Sequence, residues 1–524
     1  MLGVEKCLSV LAFPGDNAAS LPDEAFDEQI TSHKSRVEQL FEAESSAITA
    51  HAMELTKSLD PFKHTFSYLS ILDAIIPTDS SLYPTMDQVL IRRIVAFLTH
   101  FDPRQVRYIG YGLTRLLSVL GSGAVMPAPI TVKLITHALQ TLDPGGHMLT
   151  SSHIVLAKLA YHSDTAALAL PVLSKSIVFF PSNTPQSQSE PLCSLSLPPP
   201  AYISKDTGLT LAVSSGQILE YDYFIGNIYL SLGDYKEAIE AFGRVISHPS
   251  RDSSVSKIMV AAHKRWLLAN LVHYGKTEGT PPHTAAAVSR VCSSVNKLYA
   301  RIAELFQNAS PADLCVEVSL AAEQLKINDD WSLVKQVVAA HKKWQVVRLR
   351  DVFLTISIAD VIKTLHVPAE TAAAVSAIAG PDEIAEASQT PSTAAEAVAL
   401  IRGMIDAGMI TAEIVESPGP AYLHFLPEQK WASEKEFSAA LQTAGLGMAQ
   451  VRQLNKLTSE QLSLNRDYIK QTLKDQKAAA TAGNADDGAG DIHPGGYHGV
   501  RFGGSYDVEL DEDLMMDGTN DYLA

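Results

Sequence analysis

Residues Tyr221 to Ile246 read YDYFIGNIYLSLGDYKEAIEAFGRVI, and the spacing of small and aromatic residues in this stretch decides the fold. It predicts two helices joined by a tight turn. Gly226 and Ala238 let the helices approach closely, Gly233-Asp234 turns the chain, and Tyr229, Tyr235 and Phe242 fill the seam between them.

These positions fall at the spacing of a tetratricopeptide unit, with Asp222 where that motif carries tryptophan. No second clear copy is visible, so the other repeats are degenerate or the hairpin stands alone. The flanking chain favours repeats. Leu90, Ile94, Phe97, Leu98 and Phe101 form one helical stripe that Asp102-Pro103 ends. Val106, Ile109, Leu113, Leu116, Leu117 and Leu120 form the next, up to Gly121-Ser-Gly123. Trp331, Val334, Val338, His341 and Gln345 keep a similar spacing further on. Each such helix buries one face on its neighbour, which suggests stacked antiparallel pairs. The Pro-, Ser- and Gln-rich stretch from Pro181 to Pro200, and Gly275 to Thr284 with Pro281-Pro282, read as solvent loops inserted between helices.

Beyond Arg348 the pattern changes. Ile356 and Ile358 alternate with Thr355 and Ser357, Ala359 to Leu365 is a short helix, and Thr393 to Ala407 is an amphipathic one. Ile410, Ala412 and Ile414 then alternate with Thr411 and Glu413, Glu416 to Pro420 turns the chain, and Ala421, Leu423 and Phe425 alternate again. This order is that of a winged helix. Met448, Val451, Leu454, Leu462, Ile469 and Leu473 make a narrow stripe within a helical stretch from Glu434 to Lys474. From residue 476 onward the apolar pattern ends, and ten acidic residues face two basic ones, which reads as a disordered acidic tail.

The whole chain has 524 residues, 46% hydrophobic and 19% charged, with a net charge of −17. That composition is globular, and the charge disfavours a protein that coats nucleic acid or anionic lipid. Cys7, Cys193, Cys292 and Cys315 are too scattered for a disulfide framework or a zinc cluster, which fits a reducing compartment. The most apolar run, Ala166 to Phe180, is broken well short of a membrane span, and no secretory leader is written at the N-terminus; nucleus and cytoplasm are expected. Enzyme motifs are missing. Gly275-Lys276-Thr277 has Asn270 where a phosphate loop needs its first glycine, and Gly110-Tyr-Gly112 has Arg115 where a dinucleotide fingerprint needs its third. No histidines pair as metal ligands, so no catalytic residue, metal or cofactor is expected. His341 to Arg350 gathers cations around Trp344 on one helix, but the Thr393–Ala407 helix offers only Arg402 to a DNA groove, so the cluster reads as structural, pairing with neighbouring acids.

Helical repeats running into a winged helix resemble the PCI proteins of the proteasome lid, the COP-nine signalosome and initiation factor three, and above all a signalosome subunit. The likeness rests on Leu149-Thr-Ser-Ser-His153, on the quoted hairpin, on Asn328-Asp-Asp-Trp331 through Gln336, on Phe353-Leu-Thr-Ile-Ser357, and on Met404-Ile-Asp-Ala-Gly408 with His424-Phe425. It implies a mostly α fold: a right-handed superhelix of TPR-like repeats, a winged-helix (PCI) domain, a C-terminal helix and a disordered acidic tail. The boundaries expected are 1–60 for an N-terminal helical segment, 61–347 for the repeats, 348–428 for the winged helix with an insertion at 367–390, 433–475 for C-terminal helices, and 476–524 for the tail.

The resemblance implies a non-catalytic scaffold of the complex that removes the ubiquitin-like Nedd modifier from cullin-RING ubiquitin ligases. Its implied partners are other PCI subunits and a His-x-His metalloprotease subunit. The expected partner-binding residues are Ile410, Ala412, Ile414, Leu423 and Phe425 at a sheet edge, and Val451, Leu454, Leu462, Ile469 and Leu473 in a helical bundle. The alternatives are a lid or initiation-factor subunit, and a winged-helix protein of messenger-RNA export that binds nucleic acid.

Overall fold

The computed structural model describes residues 4–13, 21–181, 190–249, 255–277, 279–308, 310–366, 391, 393–415, 421–426, 434–464 and 468–474. Within it the quoted hairpin is two helices, Ser215–Leu232 and Tyr235–Ile246. Gly233 caps the first at φ 78°, a left-handed conformation that costs a residue with a Cβ about 1 kcal/mol. Asp234 caps the second by accepting from the Glu237 backbone N–H. Gly226 has a different reason to be glycine: a Cβ there would lie 2.5 Å from the Phe242 ring. Asp222, in the tryptophan position, accepts from Arg244 Nε at 2.9 Å, so an ion pair spans the hairpin where the motif carries an aromatic ring.

The hairpin has two apolar faces. Tyr221, Ile225, Ile228 and Ala241 belong to a core that runs back to Cys7, while Leu219, Ala238, Phe242, Val245 and Ile246 belong to a second that runs on to Val338. Its neighbours are helix Ser151–His162 on one side and helix Lys257–Tyr274 on the other. The chain is therefore an array of helices in sequence order, which is how stacked repeats bury faces that none can bury alone.

The N-terminal stretch is helical too, as Val4–Leu11, Asp23–Ala50 and Ala52–Ser58. The stripe beginning at Val106 is interrupted. A short turn, Pro103–Val106, precedes helix Gly110–Gly121, and Gly110 at the start of that helix is pressed against the backbone of residues 207–209. That approach gives Gly110 a packing reason, and Gly112 has a separate one, since a Cβ there would lie 3.3 Å from Leu69.

One loop corrects the sequence reading. Residues 190–200 are not a solvent loop. Cys193 is fully buried, Arg104 Nε donates to its carbonyl, and Arg107 donates to the carbonyls of Leu192 and Ser194. The Cys193 thiol also meets the Asp23 carbonyl, so this strap ties the N-terminal helices to the array. The other expected loop does join two helices, and its first residue, Gly275, is a buried left-handed cap at φ 68°, where a Cβ would strike the Trp344 ring.

The third core spans Val346 to Phe425 and holds a small domain. Strand β1 (Thr355–Ser357), helices Ile358–Leu365 and Ala394–Asp406, and the hairpin of β2 (Ala412–Val415) and β3 (Tyr422–Phe425) follow in the order of a winged helix. The sheet is antiparallel with order β1-β3-β2. Ile356, Ala412, Leu423 and Phe425 point into the core, as strand alternation requires. Thr393 and Glu396 form a capping box at the start of the second helix, where the sequence placed it.

The chain divides into two compact units, 1–458 and 459–524. Helix Glu434–Leu464 runs into the second, where residues 468–474 are also helical. The 367–390 insertion and the acidic tail lie outside the described residues.

Candidate assembly surface

In the sheet, β3 lies in the middle. Phe425 N–H donates to the Leu354 carbonyl on the β1 side, and Leu426 N–H donates to the Thr411 carbonyl on the β2 side. Both ladders of β3 are filled, so Leu423 and Phe425 cannot pair a neighbour's strand, and their side chains lie in the core. The expectation of sheet contact at Leu423 and Phe425 is therefore corrected: they hold the sheet together.

The open edge is β2. Because Thr411 faces β3, the antiparallel alternation turns Glu413 and Val415 to the ladder and turns the N–H and C=O of Ala412 and Ile414 outward. No strand lies beyond them among the described residues. The side chains of Ile410 and Ala412 are buried and that of Ile414 packs on the same core, so these three offer backbone, not apolar surface. The sheet's outer face carries Thr355, His424 and Glu413 in one row, with a Thr355 Oγ1 to His424 Nδ1 contact of 2.8 Å, and Ser357, Tyr422 and Val415 in the next. Asp360, at the start of the first helix, is held below the usual carboxylate range by hydrogen bonds from Lys363 and Ser357.

The C-terminal stripe is solvent-facing. Val451 is 55% exposed, Ile469 42% and Leu473 52%, while Leu454 and Leu462 are half-buried. Phe437 and Leu441, which the sequence reading left out, are exposed on the same helix as Val451. Their i, i+4 spacing eleven and seven residues before Met448 was the available signal. Leu457 packs against the N-terminal core. A second omission is Val352-Phe353-Leu354, an exposed apolar run just before β1.

Comparison with known proteins gives this arrangement a family. Residues 28–288 match the family model described as COP9 signalosome complex subunit 3, N-terminal helical repeats. The chain is 31% identical to COP9 signalosome complex subunit 3 of Neurospora crassa over 97% of its own length and 98% of the relative's. The chain belongs to the COP9 signalosome complex subunit 3 family. Subunit 3 proteins of Emericella nidulans, 28% identical over 96% of each chain, and of Drosophila melanogaster, 24% identical over 84% and 89%, agree.

In this subunit 3 homologue the basic helix serves the repeats. Trp344 Nε1 donates to the Val272 carbonyl, and Arg348 donates to the carbonyls of Gln307, Phe306 and Gly275, the exposed ends of two earlier helices. Trp344 and Arg348 thus engage helix-end carbonyls, where the sequence suggested neighbouring acids. His341 is buried edge-on against Phe306, and burial, with Arg348 nearby, lowers its pKa to about 4. Among the described residues no group of His, Cys, Asp or Glu could hold a metal ion, and no helix is long and apolar enough to cross a membrane.

Proposed function

We propose that this chain is a non-catalytic scaffold subunit of a COP9 signalosome, the complex that removes the Nedd modifier from cullin-RING ligases. The end-to-end likeness to the Neurospora crassa subunit 3 carries the reading. Two surfaces suit it. The outward N–H and C=O groups of Ala412 and Ile414 can extend the sheet with a neighbour's strand, which sets register and orientation. The apolar residues Val451, Leu454, Leu462, Ile469 and Leu473 can enter a shared helical bundle. Together such contacts bury on the order of 1,200–2,000 Å² in a stable assembly. Its partners are other PCI subunits and the metalloprotease subunit, and its place is the nucleus and cytoplasm.

Native purification of the tagged chain from its own cells, with peptide sequencing of what elutes, tests this. A multi-subunit assembly containing a His-x-His metalloprotease is expected. Elution alone, or with lid or initiation-factor subunits, overturns it. Binding to nucleic acid through the basic helix is disfavoured, because Trp344 and Arg348 are already engaged by helix-end carbonyls.

A further inference from the structure

His153, the last residue of the Leu149–His153 motif that neither assembly surface uses, lines a cleft of about 480 Å³. That volume falls in the range of small-molecule sites. Leu139 and Val172, both buried, and Pro144 and Pro171 give it apolar walls, while Gln140, Ser174 and Lys175 stand exposed around it. His153 itself is 2% exposed. Its Nδ1 accepts from the Thr150 backbone N–H, which closes the capping box of helix Ser151–His162, and burial keeps the ring neutral down to about pH 4. A neutral ring whose Nδ1 accepts carries its proton on Nε2. That Nε2–H meets no acceptor among the described residues and, unlike the Tyr221 hydroxyl, is not sealed from solvent. A buried donor therefore opens on the cleft with nothing to receive it, at a cost in free energy that an acceptor there recovers.

The other groups around the cleft define what is missing. Lys175 forms no ion pair among the described residues, and its stem lies so close over Gly146 that a Cβ there would be 2.8 Å from Lys175 Cγ. Asp143, the one acid in the lining, already accepts from the Gly146 and Met148 N–H groups, one on each carboxylate oxygen. The Leu139 and Val172 carbonyls are likewise taken, by the Asp143 and Lys175 N–H groups. The acceptors are satisfied and the donors are not. His153 also sits in the first turn of a 12-residue helix, whose dipole favours negative charge there.

We propose that this cleft binds a small carboxylic acid as its carboxylate. One oxygen accepts from His153 Nε2–H, the other faces Lys175 Nζ, and the apolar body lies along Leu139, Val172 and Pro144. A neutral molecule leaves Lys175 without a partner, and a cation meets two donors. A lone aspartate or glutamate side chain fills only part of the volume, which makes a free acid with an apolar body the better occupant. No residue of β2 or of the C-terminal stripe lines the cleft, so its failure and that of the assembly reading are distinguishable.

The test titrates phenylacetate and its neutral isostere phenylacetamide on the full-length chain by saturation-transfer NMR. Phenylacetate is expected to bind, and phenylacetamide at least tenfold more weakly. His153→Gln keeps the helix cap, because glutamine at that position also reaches back to the Thr150 N–H, and it is expected to weaken phenylacetate at least fivefold. Lys175→Gln changes an exposed residue and is expected to weaken it about two- to fivefold with an unchanged melting temperature. Equal binding of phenylacetamide, or full affinity in either variant, overturns the proposal. Two competitors then separate the sources of negative charge. If N-acetyl-glutamate α-amide displaces the probe at a lower concentration than unlabelled phenylacetate does, the occupant is a partner's side chain; if inorganic phosphate does so, it is a phosphate. Either result overturns the free carboxylic acid, and displacement by phenylacetate ahead of both supports it.

Discussion

Arg265 Nε lies 3.0 Å from Asp330 Oδ1, in a site where the two side chains are 11% and 3% exposed. Tyr299 donates to the other carboxylate oxygen at 2.6 Å, and a second guanidinium nitrogen of Arg265 donates to Asn227 Oδ1. One dry network thus joins the quoted hairpin to three later helices. Removing one partner strands a buried charge, so Asp330→Ala is expected to lower unfolding free energy by about 3–5 kcal/mol in urea titration. Glu304→Ala, which breaks the exposed Arg301–Glu304 pair, is expected to change it by no more than about 0.5 kcal/mol.

Three glycines separate three physical roles. Gly226→Ala forces a Cβ to 2.5 Å from Phe242, and the overpacking, about 1–3 kcal/mol, outweighs the gain in helix propensity. Gly233→Ala places a Cβ at φ 78° and costs about 1 kcal/mol. Gly403 lies in helix Ala394–Asp406 with open space where a Cβ would go, so Gly403→Ala is expected to stabilise by about 0.5–1 kcal/mol. Melting of the three variants side by side distinguishes clash, strain and entropy.

Acid should unfold the protein well above the carboxylate range. Burial lowers His33, His153, His263 and His341 from 6.5 to about 4. The unfolded chain takes up these protons near pH 6.5, while the folded chain refuses them until about pH 4. Stability is therefore full above 6.5 and falls as pH drops from 6.5 towards 4, by up to about 3 kcal/mol for a fully buried histidine. Asp102 and Asp222, whose carboxyls burial raises, act in the opposite sense at lower pH. His153→Gln is expected to flatten the pH dependence of the urea midpoint by up to one proton.

The two assembly surfaces should fail separately from folding. Ile414→Pro deletes an outward N–H and leaves the β2–β3 ladder intact, since edge strands accept proline at such positions. Ile469→Asp with Leu473→Asp charges residues already exposed. Either set is expected to reduce co-purifying subunits at least tenfold in native pull-down; the pair at 469 and 473 should leave the melting temperature unchanged.

What the sequence revealed, and what it hid, follows from the range of each interaction. The hairpin at 221–246 was legible because Gly226, Gly233 and Phe242 act on neighbours close in the chain. Strands β2 and β3 were legible from alternation, but their order was not, because β3 becomes central only when β1, some 65 residues earlier in the sequence, pairs with it. The cations at Lys342 to Arg350 were visible, yet the carbonyl ends that Arg348 caps come from helices 40 and 70 residues earlier. Pro and Ser between 181 and 200 suggested solvent, because nothing local shows that Arg104 and Arg107 lie waiting for the backbone of 192–194.

That strap also sets an order in time. Cys193 reaches back 170 residues to Asp23, and Arg104 and Arg107 remain without its carbonyls until it arrives. At roughly 5–20 residues per second of synthesis, the N-terminal helices wait about 10–30 s before the segment that closes over them leaves the ribosome. For that interval the guanidinium groups of Arg104 and Arg107 and the place that Cys193 fills beside Asp23 stay open to water, which leaves the newborn N-terminal helices, more than the finished ones, without their lock.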